Sequence, residues 1–303
     1  GIYFGGGTTS NDFPVTMGAH QSSFQGGSAD GFVTKINNDG SQIQASTYYG
    51  SDKYDQVYFV DTDLKGNVYV LGQTGALGNT FIYNAPWNQP GGGQFVSQLT
   101  KSLDDWVFST AFGNASNLEP DISPTSFMVD YCGSIYVAGW GGGLNNFGGT
   151  SGLPVTSNAY QTTTDNNDYY FMVLEQDAQD LQYASFFGGT QNSGEHVDGG
   201  TSRFSKKGAI YQAICGGCGG YSDIPTTTNA WSSTNNSSNC NLAVVKFDFD
   251  VKAVIADFER PYSGCAPYTI QTDNRSFSSG TNTYYLWDFG DGDTSMAFEP
   301  THT

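Results

Sequence analysis

Short apolar runs separated by turn residues recur along the chain, with the length and spacing of β-strands. The first complete set comprises Phe32–Ile36, Gln44–Tyr49, Gln56–Asp61 and Asn67–Leu71. Turn signals such as Asn38-Asp39-Gly40 and Lys65-Gly66-Asn67 lie between these runs, since Asn, Asp and Gly adopt turn conformations readily. The pattern predicts an all-β chain with four strands in each unit.

Two of the predicted strands are apolar on both alternating faces. They are Val68-Tyr69-Val70-Leu71 and Ile135-Tyr136-Val137-Ala138. A strand of this kind must be covered on both sides. Sheets stacked face to face supply that cover, although a solenoid or a two-sheet sandwich would also tolerate it.

A Gly-x-aliphatic-Tyr step repeats along the chain and places Tyr at positions 3, 69, 136 and 211. The tyrosines are therefore 66, 67 and 75 residues apart. Internal repeats of this kind indicate an array of similar units. Because each repeat holds four strand-like runs, we predict a β-propeller made of four-stranded blades.

The charge and the apolar content of the chain exclude some classes of binding partner. The 303 residues include 29 acidic and 11 basic ones, for a net charge of −18. This charge repels phosphate backbones, so we expect no nucleic-acid partner. No apolar run reaches the roughly 20 residues of a membrane-spanning helix. The abrupt opening at Gly1-Ile2-Tyr3 suggests a piece of a longer chain whose export signal lies elsewhere.

The repeated steps resemble a known family. Asp12-Phe13-Pro14-Val15-Thr16, Gly31-Phe32-Val33-Thr34-Lys35-Ile36 and Ser46-Thr47-Tyr48-Tyr49-Gly50 are similar to the SBBP repeats of bacterial seven-bladed propellers, over residues 1–250. From about residue 251, Trp287-Asp288-Phe289-Gly290-Asp291-Gly292 and Pro300-Thr301-His302 resemble a PKD domain, an immunoglobulin-like sandwich, truncated at residue 303. The resemblance implies a large exported surface protein of Bacteroidota, secreted by the type IX system.

About 250 residues supply between three and four repeats, which is too few to close a seven-bladed ring. Either further blades precede Gly1, or the propeller is smaller than the family name implies.

Five cysteines are present, and Cys215, Cys218 and Cys240 lie near one another in the sequence. In an exported protein they favour a disulfide. A zinc site is the alternative, with His196 as the nearest further ligand. The sequence leaves two pairings open, Cys218 with Cys240 or Cys215 with Cys218.

Several aromatic and acidic residues are candidates for ligand binding, and each also has a structural explanation. Trp87, Trp140 and Trp231 lie among Gly- and Asn-rich loops, where exposed rings would bind sugars, but large aromatic side chains more often pack in cores. Glu195, beside His196, is the most site-like acid, although we expect it in an exposed loop rather than in a site. The acidic run Asp61–Asn67 suits calcium or a plain turn. We predict no catalytic residue and no obligatory cofactor, and leave calcium open.

The sequence therefore predicts a non-catalytic extracellular or cell-surface module for adhesion or interaction. The propeller would bind a protein or a glycan, and the PKD unit would act as a spacer. Two alternatives remain: a polysaccharide-active enzyme or its carbohydrate-binding appendage, and the structural stem of a surface filament.

Overall fold

A computed structural model of the chain describes residues 1–63, 65–115, 119–142, 148–191, 194–197, 202–205, 208–249, 254–259, 264–278 and 283–303. The chain forms two compact units. The first comprises Gly1–Lys206 and Ile210–Phe247, and the second Lys207–Ala209 and Asp248–Thr303. The domain boundary predicted at residues 250 and 251 lies outside the described residues.

The described part of the first unit contains fourteen strands in four sheets. In chain order the strands are β1 Ile2–Thr8, β2 Asp30–Ile36, β3 Ile43–Tyr49, β4 Asp55–Thr62, β5 Val68–Thr74, β6 Gln94–Leu99, β7 Trp106–Phe112, β8 Ser123–Val129, β9 Ile135–Trp140, β10 Tyr169–Leu174, β11 Leu181–Phe187, β12 Ser202–Ser205, β13 Ala209–Gly216 and β14 Asn241–Asp248.

Each sheet is a meander in which strands adjacent in sequence are adjacent in space. Sheet 1 holds β1–β3, sheet 2 holds β4–β7, sheet 3 holds β8–β11 and sheet 4 holds β12–β14. The pairings within sheets 1 to 3 are antiparallel. The predicted all-β class is confirmed. Sheets 2 and 3 hold four strands each, but the four runs that the sequence groups as one unit divide between two sheets, because the first two are β2 and β3 of sheet 1 and the last two are β4 and β5 of sheet 2.

Successive sheets pack on one another near their first strands. Strand β4 packs against β1 and β2, β8 packs against β4 and β5, and β12 packs against β8. One apolar cluster joins sheets 1 and 2 and includes Val68 and Val70 of β5. A second cluster joins sheets 2 and 3 and includes Tyr69 and Leu71 of the same strand. Both faces of β5 are thus buried, as its sequence predicts.

The predicted turns form where the sequence places them. Gly40 has a φ of +74°, and its N–H donates to the Asn37 carbonyl at 3.1 Å. Gly66 has a φ of +78° and closes on the Asp63 carbonyl at 2.9 Å. Glycine suits these positions because it alone adopts a positive φ without steric cost.

Helical structure is scarce, since Asp outnumbers Glu in the sequence and favours turns over helix interiors. Within the described residues the helical content is one short 3-10 turn, Gln176–Ala178. This part of the chain contains no helix with the length and apolarity that a bilayer crossing requires.

The described part of the second unit is built from two-residue strands. They are β15 Val254–Ile255, β16 Phe258–Glu259, β17 Ile270–Gln271, β18 Asp273–Asn274, β19 Phe277–Ser278, β20 Trp287–Asp288, β21 Thr294–Ser295 and β22 Thr301–His302. The antiparallel pairs are β15 with β19, β16 with β18, β17 with β22 and β20 with β21.

Carboxylates cap the turn that follows β20. Asp288 accepts the Gly290 N–H at 2.9 Å, and Asp291 accepts the Asp293 N–H at 3.0 Å. These two acids therefore stabilise the turn by accepting its backbone N–H groups. The His302 ring stacks on Phe289 with centroids 4.1 Å apart.

Candidate functional site

Three junctions connect the last strand of one sheet to the first strand of the next. Junction 1 joins β3 to β4, junction 2 joins β7 to β8 and junction 3 joins β11 to β12. The pairs Gly31–Tyr49, Gln94–Phe112 and Tyr169–Phe187 occupy equivalent places in the three sheets. The residues that follow Tyr49, Phe112 and Phe187 are glycines in all three sheets, namely Gly50, Gly113 and Gly188.

The same register places a carboxylate in two of the three junctions. The residues immediately before Gly31, Gln94 and Tyr169 are Asp30, Gly93 and Asp168 respectively. The β-sheet register therefore makes Asp30 and Asp168 structural equivalents, and junction 2 has a glycine at that position.

A second position also carries an acid in junctions 1 and 3. The pairs Gln56–Gln73, Ser123–Trp140 and His196–Cys215 are equivalent across the junctions. The residues before Gln56, Ser123 and His196 are Asp55, Ile122 and Glu195 respectively. Junctions 1 and 3 thus have two acids each, whereas junction 2 has Gly93 and Ile122 at these positions. Asp121, one residue before Ile122, is nevertheless fully buried and accepts the Asn114 N–H at 2.8 Å.

In junction 1 both acids are fully buried. Asp30 Oδ2 accepts the Gln25 N–H at 2.5 Å, and Asp55 Oδ2 accepts the N–H and the hydroxyl of Ser51 at 2.6 Å each. Burial, with a smaller contribution from the charge of Asp30, raises the pKa of Asp55 to about 6 although the bonds from Ser51 oppose it.

In junction 3 two carboxylates converge above Gly188. A Cβ at this glycine would lie 1.9 Å from Asp168 Oδ1 and 2.4 Å from Glu195 Oε2. Asp168 is fully buried and Glu195 is 2% exposed. Gln161 Nε2 donates to Asp168 Oδ2 at 3.2 Å, and the Gly189 N–H donates to Glu195 Oε2 at 3.3 Å.

Acidic neighbours make junction 3 strongly electronegative. Burial is the main cause that raises the pKa of Glu195 to about 8, and the charges of Asp168, Asp223 and Asp165 add to it. Burial likewise raises the pKa of Asp168 to about 6. Ionising the whole group would require a compensating positive charge.

Asp223 brings a third chain segment to junction 3. It follows β13, and its Oδ2 accepts the N–H groups of Thr190 and Gln191 at 2.8 and 3.1 Å. A Cβ at Gly189 would lie 2.4 Å from the same oxygen. The sequence singled out Glu195 but missed Asp168 and Asp223. The recurrence of Asp one residue before β10 and at the first residue of β2 was the available signal.

A cleft of about 350 Å³ opens beside Trp140. Its lining comes from three sheets and comprises Phe59, Ser123, Pro124, Thr125, Trp140, Val197 and Arg203. The Trp140 ring also lies 5.8 Å from the His196 ring, centroid to centroid. The cleft combines an aromatic face with hydroxyls and a guanidinium group.

The three candidate tryptophans occupy different surroundings. Trp87 is half-buried and packs against the core between sheets 2 and 3, while Trp231 is 103% exposed. Trp140 lines the cleft. In the described part of the chain no ring contact joins any two of them, so they do not form a common aromatic site.

The cysteine pairing is Cys218 with Cys240, which closes a 22-residue separation. The His196 Nδ1 atom lies 3.8 Å from Cys218 Sγ. The ligand atoms of His196, Cys218 and Cys240 are within 4.8 Å of one another. Because zinc binds thiolates, the disulfide removes the two sulfur ligands that such a site would use. Cys132 and Cys265 are exposed.

The acidic run Asp61–Asn67, a candidate calcium loop in the sequence, includes Leu64, which lies outside the described residues. The described residues on either side of Leu64 form a turn. Asp63 accepts the backbone N–H and the side-chain amide of Asn67, both at 2.9 Å. Asp61 accepts the Val129 N–H of the next sheet at 2.8 Å. These carboxylates stabilise a turn and a contact between sheets.

Comparison with known proteins identifies no relative. No protein-family model matches the chain, and no curated protein is significantly similar to it.

Proposed function

We propose that this chain is a non-catalytic extracellular binding module, in which a partial β-propeller presents a glycan-binding cleft and a PKD-like unit acts as a spacer. The scaffold is supported by the successive packing of β4, β8 and β12, because meander sheets that stack near their first strands are the repeating unit of propellers. The resemblance to SBBP and PKD sequences of exported Bacteroidota proteins agrees with this assignment.

The cleft beside Trp140 is the observation on which the binding role rests. An indole face packs against the apolar face of a sugar ring, and the nearby Ser123 and Arg203 offer hydrogen-bonding groups for its hydroxyls. A volume of about 350 Å³ is within the range of small-ligand sites, about 300–1,000 Å³. Glycan is therefore the favoured ligand over a flat protein surface.

The enzyme alternative has one structural feature in its favour, the acid pair of junction 3. Glycoside hydrolysis requires two carboxylates on either side of a bond in a substrate that reaches both of them. Asp168 is fully buried and Glu195 is 2% exposed. Substrate therefore has no access to this pair, and binding is the better-supported function.

A glycan array probed with the whole chain tests the proposal. We expect selective binding that Trp140→Ala and Arg203→Ala each weaken at least tenfold. Trp231→Ala is the matched control, because that ring is fully exposed outside the cleft, and it should bind like the parent chain. Thermal melting of each variant confirms folding. Absence of glycan binding, or equal loss in Trp231→Ala, would overturn the proposal.

A further inference from the structure

We propose that the chain associates head to tail with a second copy of itself. The contact joins the front face of sheet 4 in one copy, which includes Tyr211 and Leu242, to the back face of sheet 1 in the other, which includes Ile2 and Phe4. The front face of a sheet is defined here as the one that carries the repeated tyrosine, and the back face is its opposite. The inference concerns a different surface from the Trp140 cleft and does not depend on glycan binding.

The repeated tyrosine marks the face that each sheet turns toward the next sheet. Tyr3 packs on the cluster between sheets 1 and 2, and Tyr69 belongs to the cluster between sheets 2 and 3. Tyr136 is fully buried, and its ring lies 5.5 Å from that of Phe204 in sheet 4, centroid to centroid. Tyr211 holds the equivalent position in β13 but is 51% exposed. The front face of sheet 4 is therefore open where the other three are covered.

Strand β14 extends this open face. Its residues alternate between exposed and half-buried, and the ring of Phe247 lies 5.1 Å from that of Phe171 in sheet 3. The alternate side chains of β14 therefore point away from sheet 3. They include Leu242, which is 72% exposed, and Lys246, whose Nζ atom lies 5.9 Å from the Tyr211 ring. Exposed apolar surface of this kind marks interaction sites.

The back face of sheet 1 is open in the same way. Ile2 and Phe4 flank the tyrosine of β1, so they point to the opposite face, and they are 51% and 41% exposed. Their equivalents in sheet 2, Val68 and Val70, are fully buried in the cluster between sheets 1 and 2. The register of β1, β2 and β3 adds the exposed Ile43 to the cross-strand row of Ile2.

The interfaces inside the chain show what covers such faces. The cluster between sheets 1 and 2 combines Tyr3 of a front face with Val68 of a back face. The cluster between sheets 2 and 3 combines Tyr69 with Ile135 and Val137 in the same sense. The free front of sheet 4 and the free back of sheet 1 are thus the two halves of an interface that the chain already forms between its own sheets. A second copy supplies the missing half.

The two faces differ, so the contact is heterologous. Such a contact leaves one free front and one free back at the ends of an assembly, unless the rotation between copies closes a ring. Each copy carries a net charge of −18, and the repulsion between copies opposes association. Salt screens that repulsion. We therefore expect the contact to strengthen with sodium chloride, which is the opposite of an interface held by opposite charges.

Sedimentation velocity of the whole chain over a wide range of protein and salt concentrations tests the inference. We expect dimers and larger species that increase with both concentrations. Leu242→Asp on the front face and Phe4→Asp on the back face each place a charge in the contact, so each should weaken self-association about tenfold or more. Leu286→Asp is the matched control, because Leu286 is 75% exposed in the second unit, and it should sediment like the parent chain.

Mixing the two variants tests the head-to-tail arrangement. Neither variant should associate with itself, but Phe4→Asp keeps its front face and Leu242→Asp keeps its back face, so the mixture should form dimers. Far-UV circular dichroism and thermal melting verify that each variant is folded. A parent chain that stays monomeric at every concentration, a variant that self-associates like the parent, or a mixture of folded variants that stays monomeric would each overturn the inference.

Discussion

Truncating two adjacent residues of β5 tests whether sheets cover this strand on both faces. Val70 and Leu71 are each fully buried. Val70 belongs to the cluster between sheets 1 and 2, and Leu71 to the cluster between sheets 2 and 3. Val70→Ala and Leu71→Ala therefore probe two different sheet interfaces from neighbouring positions of one strand.

The expected losses follow from the atoms removed. Leu71→Ala deletes three buried carbon atoms at about 0.8 kcal/mol each, and the cavity adds a further cost, for a total of about 3–4 kcal/mol. Val70→Ala deletes two carbon atoms and should cost about 2–3 kcal/mol. The nearly equal losses per carbon are the diagnostic result, because a strand covered on one face would show a large loss at only one position.

Urea denaturation followed by both tryptophan fluorescence and far-UV circular dichroism measures these losses. The free energy of unfolding is interpretable only where the two probes give the same transition. Val244→Ala is the control, because Val244 is 74% exposed and its truncation should cost less than about 0.5 kcal/mol. If either Val70→Ala or Leu71→Ala behaved like this control, the face-to-face arrangement of the sheets would be refuted.

Two further predictions concern pH and the disulfide. Asp55, with its pKa raised to about 6, holds its proton more tightly in the folded state. Stability should therefore fall by about 2–3 kcal/mol as the pH rises from about 4 to about 6. Asp55→Asn should reduce the slope of the urea midpoints by this amount without abolishing it, because the raised pKa values of Asp168 and Glu195 act in the same direction. An unchanged slope would exclude a contribution from Asp55. Cys218→Ser should lower the free energy of unfolding by about 3 kcal/mol, and non-reducing peptide mapping should link Cys218 to Cys240 rather than to Cys215.

Strand positions were predictable because local signals determine them. The doubly apolar pattern of Val68–Leu71 requires cover on both faces, and the structure provides it. The turn at Gly40 was equally predictable, since a glycine after Asn38 and Asp39 permits the positive φ that the turn needs. These features depend on residues within a few positions of one another.

The candidate sites were less predictable because they depend on distant segments. Asp168 and Glu195 meet because the Glu195 N–H donates to the Asn167 carbonyl at 3.0 Å and His196 pairs with Cys215, and no local pattern encodes that meeting. The same limit explains the cysteines, since both pairings were open until the fold placed Cys218 beside Cys240. Sequence also could not separate the buried surroundings of Trp87 from the exposure of Trp231.

The repeats make the differences between junctions informative. Equivalent positions share a backbone environment, so a residue that the scaffold needs should recur at every junction, as Gly50, Gly113 and Gly188 do. A buried acid that accepts the N–H of the residue after this glycine also recurs, since Asp55 accepts from Ser51, Asp121 from Asn114 and Glu195 from Gly189. Buried carboxylates destabilise a fold unless they are neutralised. The recurring acid is therefore explained by the backbone N–H that it satisfies at each junction, whereas the first acid, Asp30 or Asp168, is replaced by Gly93 at junction 2 and is not required by the scaffold.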